Sequence, residues 1–89
     1  MKTNILVADD EELIRRVLAE TLIAEGYEVE TAADGDTAWK VIQERPFDLA
    51  FLDIRMPGLN GLDVLQKTKD LEVTLPVIIM TGQTTLTNA

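Results

Sequence analysis

Apolar and polar positions divide the chain into short units that alternate in period. Ile5-Leu6-Val7-Ala8 is a continuous apolar run closed by Asp9-Asp10. Runs of that kind suit strands covered on both faces, as in parallel sheets. From Leu13 to Ala24 the apolar residues Leu13, Ile14, Val17, Leu18, Leu22 and Ile23 recur at helical spacing. They predict a helix with one buried stripe. Asp10 is the candidate N-cap, and the acids around it suit the positive end of a helix. Gly26 is the expected stop. Tyr27 to Thr31 alternates as a strand with one more exposed face. Ala32-Ala33-Asp34-Gly35 reads as a turn.

Asp36 to Arg45 predicts a second helix with Ala38, Val41 and Ile42 inward and Trp39 on its border. Pro46 ends it. Asp48 to Leu52 is a third strand that delivers Asp53. Met56-Pro57-Gly58-Leu59-Asn60-Gly61 is a loop of turn formers. Leu62 to Lys69 predicts a third helix carrying Leu62, Val64 and Leu65, and Leu71 to Leu75 is a connector. Pro76-Val77-Ile78-Ile79-Met80-Thr81 is a fourth strand, with proline first, where no ladder donor is needed. Gly82-Gln83 turns the chain, and Thr84 to Ala89 could begin a helix. Strand-helix three times and then a strand predicts an α/β domain, a parallel sheet built by right-handed crossovers with helices on both faces.

With 89 residues the ceiling is one domain, and residues 1–89 are read as one. The hydrophobic fraction of 46% supports a modest core, made aliphatic by an aromatic fraction of only 4%. A formal charge of -8 argues against direct nucleic-acid binding, which depends on basic residues neutralising phosphates. It suits a cation or a basic partner. The chain has no cysteine and no histidine. Disulfides, thiolate metal sites, imidazole bases and triads are therefore excluded. No apolar stretch approaches the roughly 20 residues needed to span a bilayer, and no targeting segment is evident, so the expected setting is cytoplasmic, with no membrane partner.

In an open parallel sheet, ligands bind beyond the carboxyl ends of the strands, where strand order reverses. The predicted strands end on Asp9-Asp10, Asp53 and Thr81. Three converging carboxylates repel one another, and one pKa should rise unless a cation is bound. Mg²⁺ fits: it takes oxygen ligands, needs one or two carboxylates and keeps exchangeable waters. A carboxylate beside Mg²⁺ is also a candidate nucleophile for phosphoryl transfer, with Thr81 to hydrogen-bond a phosphoryl oxygen. Each residue alone has a commoner explanation. Asp9 and Asp10 suit helix capping, Asp53 a solvated loop acid, Thr81 a structural strand end, and Pro57, Gly58 and Gly61 plain turns. Their joint position on one rim favours the chemistry.

The chain resembles the receiver domain of two-component response regulators. The match is carried by Asp9-Asp10 after Ile5-Leu6-Val7-Ala8, by Asp53-Ile54-Arg55-Met56-Pro57-Gly58 with Asn60-Gly61, and by Pro76-Val77-Ile78-Ile79-Met80-Thr81-Gly82. The wording around Asp53 and Thr81 is most similar to the nitrogen regulatory protein C class, whose receivers usually precede an ATPase domain activating sigma-54-dependent transcription. The resemblance implies a flavodoxin-like doubly wound parallel sheet. It implies that Asp53 is the phosphoacceptor, charged by a sensor histidine kinase in the presence of Mg²⁺. Asp10 would bind the metal directly and Asp9 through water or as a second ligand. Arg55 would offer its backbone carbonyl, Thr81 the switch hydroxyl, and Gln83 would tune dephosphorylation.

The family pattern has five strand-helix units, whereas the sequence supplies four strands and about three helices. The expectation is therefore a receiver lacking the fifth unit, with its site lysine and aromatic switch residue. Lys2, Lys40, Lys67 and Lys69 do not take that lysine's place. Two consequences are expected: weak or absent phosphorylation of this polypeptide alone, and an uncovered fourth-strand edge prone to homodimerisation or domain swapping. The module would be no enzyme beyond its own phosphorylation and dephosphorylation. A phosphatase of the haloacid dehalogenase kind wants a second aspartate where Arg55 stands. A shortened receiver acting by association alone is the other reading.

Overall fold

A computed structural model describes residues 2–80. The elements follow the expected order: β1 (Asn4–Ala8), α1 (Glu12–Ala24), β2 (Glu28–Ala32), α2 (Gly35–Glu44), β3 (Leu49–Asp53), α3 (Gly61–Asp70) and β4 (Val77–Met80). The four strands form one parallel sheet in the order β2-β1-β3-β4. The chain steps from β1 to β2 in one direction and then crosses back to β3 in the other. Strand order therefore reverses between β1 and β3, and the crevice at their carboxyl ends is where such a sheet places a ligand. The expected roles of Thr81 and Gln83, and the helix expected from Thr84, lie outside the described residues.

Alternation along β1 sorts the core into two faces. Leu6 and Ala8, with Ala50 and Leu52 of β3, pack against Ala38, Val41 and Ile42 of α2 and Val64 of α3. These residues are buried, and Trp39 borders them half-buried, as its helix position predicts. Ile5 and Val7 point to the other face and are also fully covered. Val7 is in register with Phe51 of β3, and Phe51 with Ile78 of β4. Cover thins along that row: Phe51 is half-buried and Ile78 is 48% exposed.

The cause is where α1 lies, over β1 and β2. Its apolar residues were expected to form a buried stripe, and here the structure differs. Only Ala19 of α1 is buried, Leu18 and Leu22 are half-covered, and Leu13 and Val17 are 66% and 53% exposed. Ile14 and Ile23 are exposed as well. The helical period holds, but no element among the described residues packs on that side of the helix. In α3, Leu62 is likewise exposed, and the buried positions are Gly61, Val64 and Thr68.

The helix ends correct one further expectation. Glu11, not Asp10, occupies the N-cap position of α1, and its side chain makes no capping bond. Asp9 does the local work instead, accepting the Glu11 N–H at Oδ1 (2.9 Å). Asp34 caps α2 by accepting the Thr37 N–H at 2.7 Å, and that bond holds its carboxyl below the ordinary value. Asn60 and Asp63 form a reciprocal capping box at α3, with N–H···O distances of 2.8 and 3.2 Å. Gly26 does terminate α1, at a φ of 100° that suits glycine.

Candidate functional site

The site is assembled by two adjacent strands that end on acids. β1 runs out at Ala8, so Asp9 and Asp10 stand at its carboxyl end. Asp53 is the last residue of β3, next to β1 in the sheet. One carboxylate oxygen from each of Asp9, Asp10 and Asp53 lies within 4.8 Å of the others. Asp53 is only 5% exposed and Asp9 3%, whereas Asp10 faces solvent. A free-standing solvated acid is thus the wrong picture of Asp53.

Each buried acid is held by the backbone two residues on. Asp9 Oδ1 accepts the Glu11 N–H at 2.9 Å, and Asp53 Oδ1 accepts the Arg55 N–H at 3.3 Å. Burial pushes the Asp53 carboxyl above its ordinary value; the Arg55 N–H opposes the rise, and the charges of Asp9 and Asp10 add to it. The pair of effects follows from low solvation and like charge, which a cation in the same place would relieve.

The donor set fits a small hard divalent ion. All the donors are oxygens, two carboxylates are fixed in orientation by backbone N–H groups, and the third opens to water. Arg55 follows Asp53 immediately, with its side chain exposed. Its N–H is committed to Asp53.

Glycines hold the loop after Asp53 in a way that turn propensity alone did not reveal. A Cβ on Gly61 would lie 2.3 Å from the Asp53 carbonyl oxygen, and one on Gly35 would overlap the Leu59 carbonyl. Gly61 N–H also donates to the Ile54 carbonyl at 3.1 Å, and Gly35 N–H to that of Pro57 at 3.3 Å. The start of α3 thus abuts the end of β3, and α2 abuts the loop between them. Gly58, with a φ of 74°, turns that loop beside Asp36.

Arg15 is the other residue that the sequence pattern passed over. It reaches back from α1 and donates from Nη1 to the Asp9 carbonyl at 2.7 Å. The sequence signal was slight: an arginine one turn into the helix that follows two acids. Among the described residues, Lys40, Lys67 and Lys69 stand on α2 and α3, and Lys67 lies over the Trp39 ring rather than on the acid rim. No described helix is long and apolar enough to cross a membrane.

Comparison with known proteins agrees with this geometry. The family description "Response regulator receiver domain" matches residues 5–89. The DNA-binding transcriptional regulator NtrC of Azospirillum brasilense is 40% identical over 86 residues, covering 97% of this chain and 18% of that protein. Response regulator GtcR of Aneurinibacillus migulanus is 41% identical over 83 residues, covering 93% of this chain and 34% of that protein. The chain thus spans well under half the length of these relatives. The crystal structure of response regulator TrrA from Thermotoga maritima, in complex with Mg²⁺-BeF, overlays with a TM-score of 0.86 at 42% identity, covering 94% of this chain and 72% of that one.

Proposed function

The chain belongs to the response regulator receiver domain family, and from that premise we propose that it is the phosphoacceptor module of a two-component response regulator. Residues 1–89 act as one receiver domain in this reading, a signalling module rather than an enzyme with a separate substrate. The observation that carries it is the convergence of Asp9, Asp10 and Asp53 at the strand-order reversal, with Asp53 buried and its carboxyl raised.

In the proposed reaction an Asp53 carboxylate oxygen attacks the phosphorus of a phosphohistidine on a sensor kinase. A P–O bond forms, the P–N bond breaks, and the departing imidazole takes a proton from solvent. When bound, Mg²⁺ would neutralise charge on the phosphoryl oxygens. Asp10 and Asp9 would hold the ion, with the Arg55 carbonyl as a further ligand. The Arg55 N–H keeps Asp53 Oδ1 in place, which leaves the second oxygen for attack. By analogy with the NtrC relatives, the modification switches a transcription-activating output. The Mg²⁺-BeF complex of the Thermotoga maritima relative supports the choice of ion.

Acetyl phosphate as donor, with intact mass as readout, tests the reading. We expect an adduct that requires Mg²⁺ and disappears in Asp53→Asn. Its level in the 89-residue polypeptide should be low, because no lysine of this sequence stands on the acid rim. An adduct that persists in Asp53→Asn would refute it.

A second reading is favoured by the exposed apolar face. Leu13, Ile14 and Val17 of α1 are open to solvent, as is Ile78 of β4, the outer strand among the described residues. In this reading the polypeptide acts by association, pairing β4 edges or exchanging strands between two copies. Sedimentation separates the two. A concentration-dependent dimer, with Mg²⁺ binding and no adduct, supports association; a monomer at high concentration counts against it.

A further inference from the structure

The polar atoms of Asp9 can be accounted for almost completely. Its N–H donates to the Ala32 carbonyl of β2 at 3.1 Å. Its Oδ1 accepts the Glu11 N–H, and its carbonyl accepts Arg15 Nη1 at 2.7 Å. The second carboxylate oxygen is left for the rim. The first is backbone geometry that any sequence could supply, and the second needs only the Asp9 carboxylate itself. The third needs a long side chain, charged and half-buried, at one position of α1.

The Asp9 carbonyl lies in the peptide plane that joins Asp9 to Asp10. Fixing that oxygen fixes the plane, and with it the direction in which Asp10 leaves β1. The Arg15 N–H is itself anchored in the first turn, donating to the Glu11 carbonyl at 3.0 Å. The donor therefore sits on a rigid base. The neighbouring arginine behaves differently: Arg16 points to solvent and meets Glu20 at 3.8 Å, an exposed pair one turn along the helix. Of the two, Arg15 folds back over the strand end.

We propose that Arg15 is a positioning residue of the cation site, which orients Asp9 and Asp10 through the peptide that links them. The proposal rests on the reading of the acid rim as a divalent-cation site. The hydrogen bond of Arg15 is to the Asp9 carbonyl, so it would act through the backbone between two ligands. Groups one step behind a metal ligand commonly change affinity by roughly 10–100-fold when removed.

Charge and geometry pull in opposite directions here, which makes the proposal testable. A guanidinium beside a cation site repels the cation, so deleting the positive charge alone should tighten binding. Loss of the carbonyl bond frees the acid loop and should weaken it. Calorimetric titration of Mg²⁺ into the wild-type chain, Arg15→Met, Arg15→Lys and Arg16→Met, with melting temperatures measured alongside, distinguishes the two. We expect Arg15→Met to weaken binding on the order of 10-fold. Arg15→Lys should fall between Arg15→Met and wild type, since an ammonium keeps the charge and loses the planar fork. Arg16→Met, which removes the same charge nearby, should not weaken binding.

Equal or tighter Mg²⁺ binding by a folded Arg15→Met overturns the proposal, as does a lower melting temperature with unchanged affinity. If Arg15→Met fails to fold, Arg15→Lys decides: weaker binding than wild type supports the positioning role, and equal binding overturns it. Failure of the underlying reading looks different. In that case the wild-type chain binds no Mg²⁺, or binds it equally well as Asp53→Asn.

Discussion

Replacing Asp53 with asparagine should stabilise the protein at neutral pH in the absence of divalent ions. The substitution removes a buried negative charge and keeps the side-chain shape. The new amide oxygen can still accept the Arg55 N–H that Asp53 Oδ1 accepts now. The gain comes from relieved repulsion and relieved desolvation. At the 4.8 Å limit that bounds the three carboxylate oxygens, two unit charges repel by about 3.5 kcal/mol at an effective dielectric of 20 and about 0.9 kcal/mol in bulk water. Asp9 is buried, so its interaction with Asp53 lies nearer the first figure. Asp10 is exposed, so its share lies nearer the second. Allowing for relaxation and salt screening, we expect Asp53→Asn to be more stable by about 1–3 kcal/mol, which for a domain of this size is on the order of 10 °C in Tm.

The pH dependence carries the same logic. An unfolded aspartate titrates near 3.9, and the folded Asp53 carboxyl titrates above its ordinary value. Between those two points the folded state holds more protons than the unfolded one. Wild-type stability should therefore fall as pH rises through this window, then level off once the folded carboxyl has ionised. Asp53→Asn lacks this term. The variant's advantage should be absent in acid, grow through the window and reach its plateau near neutrality. Urea denaturation of both proteins from pH 4 to 8, in chelator, reads it directly. Adding Mg²⁺ should then stabilise wild type more than the variant. A variant no more stable than wild type at pH 7 in chelator, or parallel pH profiles, would refute the electrostatic account of the site.

Two further substitutions test how the rim is built. Gly61→Ala places a methyl group 2.3 Å from the Asp53 carbonyl oxygen. An exposed helix would gain about 1 kcal/mol from this change, but here the clash with backbone should outweigh it for a net loss of roughly 1–3 kcal/mol. Stability equal to wild type in urea denaturation would show that the β3–α3 junction yields more readily than its geometry indicates. Asn60→Ala removes the side-chain half of the α3 capping box and should cost about 1 kcal/mol, with Mg²⁺ affinity nearly unchanged, because the lost bond lies within the helix start and not on the acid rim. A large fall in affinity would mean that α3 takes a direct part in the site.

Much of this architecture was legible from the pattern of residues. Ile5 to Ala8, Asp48 to Leu52 and Pro76 to Thr81 are apolar runs bounded by acids or proline; β4 lies within the last, and β1 and β3 each extend one residue beyond theirs, to Asn4 and Asp53. Asp9, Asp10 and Asp53 were legible as strand-end acids, and the strand-order reversal brings them together. What the pattern lacked was information about partners. The period of α1 reveals an apolar side but not what covers it, and Leu13 and Val17 prove exposed. Asp10 looked like a cap because acids precede the helix, whereas the bond that shapes the loop comes from Asp9, one residue earlier. Gly35 and Gly61 read as turn formers, but their constraint is close approach between elements distant in sequence. Arg15 carried no signal of direction, since a helical arginine can point outward, as Arg16 does, or back along the chain.

The most direct test locates the phosphoryl group. The protein is incubated with Mg²⁺ and radiolabelled acetyl phosphate, then cleaved, and the labelled peptide is sequenced by mass spectrometry. The account predicts low-level label on Asp53, abolished by chelation and by Asp53→Asn. Label on any other residue, or label that survives removal of Mg²⁺, would contradict it.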